Sequence, residues 1–360
     1  MLIEKSKFLY FGMFILCVSQ IAFAQSGGTF VIKQSVIGGG TSEQNAGGQF
    51  KVNGIVGQPS TNTAAANGFA TMGGFLTARI RGRNVNADFD GDDKTDVSVF
   101  RPSDNTWYFL NSSGGASSAA AFGFASDKLA PADYDGDGKT DIGVFRESDG
   151  TWYCLRSSDG VFIAAQFGTV GDKPIPGDFD GDGKSEFGVY RPSNGTWYYN
   201  RTSDGAFVAV AFGAAEDVPV LGDFDGDGKA DIAVFRPSIG TWFYLNSSGG
   251  ASVAVPFGAL GDKPVAGDFD GDGKTDAAVW RPSNGTWYWM QSLTGGSFGL
   301  AFGDAADVPA AGDFDGDGRS DPAVFRPSNS TWYFQRTTGG FTGIAFGTNG
   351  DRPLPGAFVP

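Results

Sequence analysis

Histidine is absent from all 360 residues, and cysteine occurs only twice, at Cys17 and Cys154. Without imidazole there is no histidine-based triad, no imidazole general base and no catalytic zinc site of the usual kind. The chain also lacks a G-x-S-x-G elbow, a phosphate-binding loop and a dinucleotide fingerprint. Beyond residue 24 no apolar run reaches the roughly 18 residues that a membrane-spanning helix needs. Helical periodicity is missing throughout.

Residues 1–24 read as a secretory signal. Lys5 and Lys7 form its basic start, residues 8–18 its apolar stretch, and Ala22-Phe23-Ala24 a small-x-small cleavage site after Ala24. A retained anchor is the alternative. Cleavage removes Cys17 and leaves Cys154 alone, so no internal disulfide can form. The expectation is a secreted, cell-surface or periplasmic chain that stabilises itself by other means, with bound metal as the candidate.

What the chain has in abundance is acid, at net charge −14, and it is not spread evenly. Six nine-residue loops of the form D-x-D-G-D-x-x-x-[D/E] recur at a fixed 45-residue interval. Their acidic residues are Asp88, Asp90, Asp92 and Asp96; Asp133, Asp135, Asp137 and Asp141; Asp178, Asp180, Asp182 and Glu186; Asp223, Asp225, Asp227 and Asp231; Asp268, Asp270, Asp272 and Asp276; and Asp313, Asp315, Asp317 and Asp321. These 24 residues are most of the 40 Asp and Glu, while the 16 others face 26 Lys and Arg. The remainder of the chain is therefore mildly basic. Two carboxylates about 4 Å apart repel by roughly 4 kcal/mol at an effective dielectric near 20. Four in nine residues call for a cation among them. Six divalent ions would take −14 to −2. The acidity thus points to metal rather than to a disordered tail, and no nucleic-acid partner is expected.

Carboxylates at loop positions 1, 3, 5 and 9, a turn glycine at position 6 and a backbone carbonyl at position 7 make an oxygen-only shell. Such a shell suits Ca²⁺ better than Mg²⁺, for up to six ions. An EF-hand is excluded, because its twelfth position needs an acid and this chain has Val99, Val144, Val189, Val234, Val279 and Val324 there. The Gly-Gly-x-Gly-x-Asp rung of calcium-binding β-rolls does not appear.

Around each loop the repeat reads as four short strands. In residues 262–303 these are 263–268, 276–281, 286–290 and 298–302, with a Pro282-Ser283-Asn284-Gly285 turn in the middle. Four strands per 45 residues, six times over, is the arithmetic of an all-β propeller; a linear solenoid is the competing architecture. The repeats occupy 83–347, starting near 83, 128, 173, 218, 263 and 308. A final strand near 351–360 either closes a six-bladed ring against the first blade or joins strands from 28–80 in a seventh. Six is favoured, because the N-terminal runs share none of the repeat's Trp or Asp landmarks. Residues 25–82 form a Gly-rich segment with strand-like runs at 30–37, 50–56 and 69–80.

The order Phe257-Gly258, then Gly267-Asp268-Phe269-Asp270-Gly271-Asp272-Gly273-Lys274-Thr275-Asp276, then Val279, resembles the FG-GAP or VCBS-type repeat of integrin-like β-propellers. In that family the loop links the first two strands of a blade and binds Ca²⁺, so the resemblance implies that role for each loop here. The chain departs from the pattern in three ways. Phe-Arg-Pro or a relative replaces Gly-Ala-Pro, Asp93 stands at the glycine position of the first loop, and Glu186 closes the third. Asp93 is expected to weaken its site. The family spans adhesion receptors, lectins and accessory modules of enzymes, so fold and metal carry over better than activity.

Other repeated residues are read as structural first. Trp107, Trp152, Trp197, Trp242, Trp287 and Trp332 are expected to pack between blades, with sugar-stacking platforms as the alternative. Arg101, Arg146, Arg191, Arg236, Arg281 and Arg326 are expected to bridge to a loop carboxylate or stack on the nearby Trp. Cys154 reads as a small buried hydrophobe. The functional expectation is an exported, non-enzymatic, calcium-stabilised binding or adhesion module. It is expected to be monomeric, with an extracellular protein or glycan as partner. A lectin is the alternative and a carbohydrate-active enzyme the remote one, since six equivalent copies lack the asymmetry of an active site.

Overall fold

The computed structural model describes residues 87–250 and 252–355, together with the backbone of five strands between Gly40 and Ala78. The proposed signal and the run at 30–37 lie outside the described residues. The chain divides into two units, 1–80 and 81–360. In the first, Gly40–Gly47 pairs antiparallel with Phe50–Val56, and Ala64–Ala66, Phe69–Met72 and Phe75–Ala78 form a three-stranded sheet. The strand expected at 50–56 is present. The single run expected over 69–80 is instead a hairpin with Met72 opposite Phe75, and Gly73-Gly74 in the sequence marks the break.

The second unit is a six-bladed propeller of four-stranded antiparallel sheets. Blade two shows the pattern: Lys128–Leu129, Ile142–Arg146, Thr151–Leu155 and Phe162–Gln166, in sheet order. The first strand is the inner one; in blades four and five the first strands, Val218–Gly222 and Lys263–Gly267, lie against each other. The fourth is the outer one and alternates exposed and half-buried residues. Second strands such as Ile142–Arg146 are buried on both faces until their final Arg, which explains their near-continuous apolar sequence.

Among the described residues, blade one takes no first strand from the start of its own repeat. Arg352–Pro353 fills that edge, opposite Phe100 and Val99. The ring thus closes on six blades, with the C-terminal strand in the first.

Register explains the repeated aromatics. Trp152 stands directly opposite Phe145, and the same pairing joins Trp107 to Phe100, Trp197 to Tyr190, Trp242 to Phe235, Trp287 to Trp280 and Trp332 to Phe325. All six Trp are at most 1% exposed. Each packs on the next blade: Trp152 meets Val189 and Tyr198, and Trp332 meets Val97 and Val99 across the seam. Burial on that scale carries the packing of neighbouring blades. Cys154 is fully buried in the same layer.

The arginines differ from expectation. Among the described residues, none of the six at the end of the second strand bridges an acidic loop, and none stacks on Trp. Arg146 grips Asp127 with Nε at 3.0 Å and Nη2 at 2.9 Å. Its guanidinium lies over the Tyr153 ring, 4.2 Å from the centroid. The partners of the other five are Asp172, Asp217, Asp262, Asp307 and, for Arg101, Asp351. A second strand's last side chain points to the end of the blade opposite the acidic loop, so the loop is out of reach. The Asp sits in the linker entering the same blade, immediately before its first strand. Such forks are strong because the planar guanidinium matches both carboxylate oxygens.

Arg101–Asp351 spans the closure. Arg101→Ala should destabilise the propeller by on the order of 3 kcal/mol, because it leaves a buried carboxylate unpaired. Urea unfolding of this variant beside Arg236→Ala, which breaks a fork inside one blade, checks both. A loss below about 0.5 kcal/mol would reduce the forks to the level of surface pairs.

Candidate metal centre

The second to sixth acidic loops connect the first and second strands of their blades, the first leads into the second strand of blade one, and each is wound by its own first carboxylate. In the second loop Asp133 accepts the amides of Gly136 at 2.6 Å and Gly138 at 2.9 Å. Both glycines are left-handed, at φ 80° and 90°. That conformation is open to glycine and little else. Asp93, which replaces the second glycine of the first loop, also adopts it, at φ 66°. Its amide still donates to Asp88 at 2.8 Å, so the turn survives the substitution; Asp is among the few side chains that tolerate this region.

The ninth residue ties the loop to the rest of the blade. Asp141 accepts the Tyr134 amide at 2.9 Å and the Ser157 amide at 2.6 Å, the latter from the hairpin between the third and fourth strands. The same double acceptance holds at Asp96, Glu186, Asp231, Asp276 and Asp321. The extra methylene of Glu186 leaves both bonds in place.

That hairpin carries a Ser/Thr pair which sequence reasoning passed over. Ser112 and Ser113 donate their hydroxyls to Asp92 and Asp90, at 2.7 and 2.6 Å. Ser157 and Ser158 do the same for Asp137 and Asp135, and Thr202 and Ser203 for Asp182 and Asp180. The signal was available, since the pairs recur every 45 residues up to Thr337-Thr338. In blade five the second member is Leu293, and only its amide reaches Asp270.

Oxygens from Asp178, Asp180, Asp182 and Glu186 lie within 4.8 Å of one another. Three-residue groups meet the same limit at Asp88, Asp90 and Asp96; Asp133, Asp135 and Asp141; Asp223, Asp225 and Asp231; and Asp268, Asp270 and Asp276. Positions 1, 3 and 9 therefore converge. Position 5 joins them in the third loop, whereas Asp92, Asp137, Asp227 and Asp272 stand outside these groups. Asp313, Asp315, Asp317 and Asp321 keep the loop's bonding pattern, with Gly316 and Gly318 amides on Asp313 and Thr337 and Thr338 hydroxyls on Asp317 and Asp315.

Position 9 is the most buried, with Asp96, Glu186, Asp231 and Asp321 at 0% exposure. Burial pushes Asp88, Asp96, Asp141 and Asp276 up to about 6, and Glu186 and Asp321 to about 7. Neighbouring carboxylates add to the rise. Asp133, Asp178, Asp223 and Asp231 are raised for the same first reason. At Asp180 and Asp315 burial is outweighed by donors on Ser203 and Thr338, and both are lowered. Apart from Arg156, 3.3 Å from Asp135, and Arg201, whose charge helps to lower Asp180, the described donors are neutral and hold these oxygens in place without cancelling their charge. An all-oxygen, carboxylate-rich and partly sheltered set of this kind fits a hard divalent cation.

The raised groups fix the sign of a pH effect. The folded chain holds their protons more tightly than the unfolded chain, where Asp titrates near 4. Their contribution is complete below that pH and is lost as pH rises through 6 and 7. With EGTA present, the urea midpoint should therefore fall between pH 5 and pH 8. A midpoint that rises over that span would contradict the charge balance described here.

Among solved structures, the chain is similar to virginiamycin B lyase from Staphylococcus aureus, with 10% identity and a TM-score of 0.46 over 73% of this chain and 87% of that one. It is also similar to an Agrocybe aegerita lectin that recognises non-reducing terminal N-acetylglucosamine, with 17% identity and a TM-score of 0.47 over 76% and 80%. No curated protein sequence matches it. The FG-GAP-like repeat family matches residues 88–144, 178–234, 223–279 and 268–324. Each matched segment runs from the start of one acidic loop, across a blade, to the second strand of the next. The chain belongs to the FG-GAP repeat proteins, as a six-bladed β-propeller.

Proposed function

We propose that this propeller is an exported, calcium-binding, non-enzymatic module that presents a rigid surface for binding or adhesion. Its partner would be an extracellular protein or glycan. The observation that carries the calcium reading is a contrast between the two ends of each blade. Asp127, Asp172, Asp217, Asp262, Asp307 and Asp351 are buried at one end, and each is held by an arginine fork. At the other end the ninth loop residues are buried as deeply. Among the described residues their hydrogen-bond donors are backbone amides and hydroxyls. A bound cation would answer that charge as the arginine does at the other end. Calcium would supply that charge and draw positions 1, 3, 5 and 9 onto one centre.

A non-enzymatic role is supported by the near-equivalence of the six blades and by a chain without histidine. For a glycan partner, the repeated Trp offer no platform, being buried. Exposed aromatics sit instead on the outer strands. Phe162, Phe207, Phe298 and Phe341 stack on Tyr153, Tyr198, Trp289 and Tyr333. They favour sugar faces at the rim as the second reading.

Each site loaded at ten times its dissociation constant adds about 1.4 kcal/mol to stability. Several such sites in a unit of this size should move the melting midpoint by about 10 °C or more. Differential scanning calorimetry in calcium and in EGTA, with bound metal counted by elemental analysis, tests the proposal. An unchanged midpoint and no stoichiometric divalent ion would defeat it.

A further inference from the structure

We propose that the six acidic loops take up their ions as one coupled ring rather than as six independent sites, an inference that rests on the calcium reading above. The loops are wired to one another through the backbone. The Thr140 amide, at position 8 of the second loop, donates to the carbonyl of Asp88, position 1 of the first, at 2.6 Å. Ser185 donates likewise to Asp133, Ala230 to Asp178, Thr275 to Asp223 and Ser320 to Asp268, at 2.5 to 2.7 Å. Thr95 of the first loop donates to Asp313 of the last at 2.8 Å and completes the circle. Six loops give six links, and the chain of links has no end.

The residues joined are the ones that matter for an ion. Position 1 winds its loop and offers a converging carboxylate. Position 8 lies between the carbonyl expected as a ligand and the ninth carboxylate that closes the shell. A shift of Asp88 toward an ion in the first loop therefore pulls on the last ligands of the second, and the reverse holds equally.

Side chains leave this linkage little slack. A Cβ added at Gly91 would lie 3.0 Å from Cε of Lys139, so the position-7 side chain of one loop rests directly on the fourth residue of the loop before it. The same contact recurs from Lys184 to Gly136, Lys229 to Gly181, Lys274 to Gly226, Arg319 to Gly271 and, across the seam, Lys94 to Gly316. Ahead of the sixth loop, a Cβ on Gly312 would approach Oγ1 of Thr95 to 2.4 Å. Close-packed neighbours transmit a displacement instead of absorbing it. The ring of amide links supplies the contiguous path, and the loop's ligand-gathered and ligand-relaxed forms supply the two states that coupling requires.

Calcium titration of the EGTA-dialysed chain tests this, with bound ions counted by equilibrium dialysis and loop closure followed by amide hydrogen exchange at Ser185 and Ala230. Coupled loops should give a Hill coefficient of about 2 or more. The double variant Asp180→Asn with Asp182→Asn disables the third loop at one half-buried and one exposed position. It should lower the stoichiometry by one and raise the midpoint of the remaining sites about fivefold. It should also leave the Ala230 amide, in the fourth loop, less protected at saturating calcium. Full loading of the unaltered chain with a Hill coefficient of 1, or a variant that loses one ion while the other sites keep their midpoint, would overturn the coupling and leave the calcium reading standing. No bound calcium in the unaltered chain would overturn both. If the variant does not fold, the Hill coefficient of the unaltered chain decides alone.

Discussion

The burial of acid that no arginine fork answers is the constraint on which the rest of this propeller turns. The ninth residue of each loop begins the second strand or lies one or two residues before it, and that strand is buried on both faces and paired on both sides. Its carboxylate cannot swing into solvent without breaking that ladder. It is held there by two amides, one from its own loop and one from the hairpin that joins the two outer strands. One carboxylate thus ties the inner, second and outer parts of a blade together. Charge is concentrated where the fold most needs a fixed point.

The propeller closes twice, by different chemistry. Through its middle layer, Trp332 packs on Val97 and Val99 while Leu354 is buried beside Phe100 and Trp107. Arg101 and Asp351 lock the end away from the acidic loops. None of these contacts involves a loop carboxylate. The second closure is the circle of amide links from Thr95 to Asp313 and onward, which lies wholly within the acidic loops. A hydrophobic and arginine-forked ring therefore stands behind one whose order depends on charge. Metal would act on the shape and firmness of one end of the ring more than on whether a ring exists.

Local, periodic features were legible in the sequence. Strands such as Thr286–Met290, the nine-residue loop and the 45-residue period each need only neighbouring residues to be read. The C-terminal Asp351-Arg352-Pro353-Leu354 repeats Asp262-Lys263-Pro264-Val265 closely enough to mark an inner strand. The partners of the arginines were not legible. Arg146 and Asp127 both recur with the period, and so do the loop aspartates, so spacing alone cannot say which acid a guanidinium meets. The direction of the strand decides it. The Ser/Thr pairs were overlooked for a related reason: a hydroxyl in a hairpin looks like ordinary turn chemistry until the hairpin is folded over the loop. Position 5 was placed with the other ligands because its residue type is right. In the first, second, fourth and fifth loops its carboxylate is not among the converging oxygens, and at Asp92, Asp137 and Asp272 a serine hydroxyl holds it.

The departures from the repeat show how much each position is constrained. Trp280 replaces a Phe or Tyr and is accommodated at 0% exposure, but its indole N–H finds no acceptor among the described residues. Leu293 replaces a hydroxyl donor and is 66% exposed. Blade five therefore carries both an unanswered donor in its core and an acceptor, Asp270, with one donor fewer at its loop. Asp93 and Glu186, by contrast, change the side chain and preserve every backbone bond the loop needs. The pattern is consistent with a ring in which backbone geometry is held fixed at all six positions, because an error in any one loop is passed to the next. Side chains around that frame vary more freely. Such tolerance leaves room for individual blades to acquire a surface of their own while the loops stay alike.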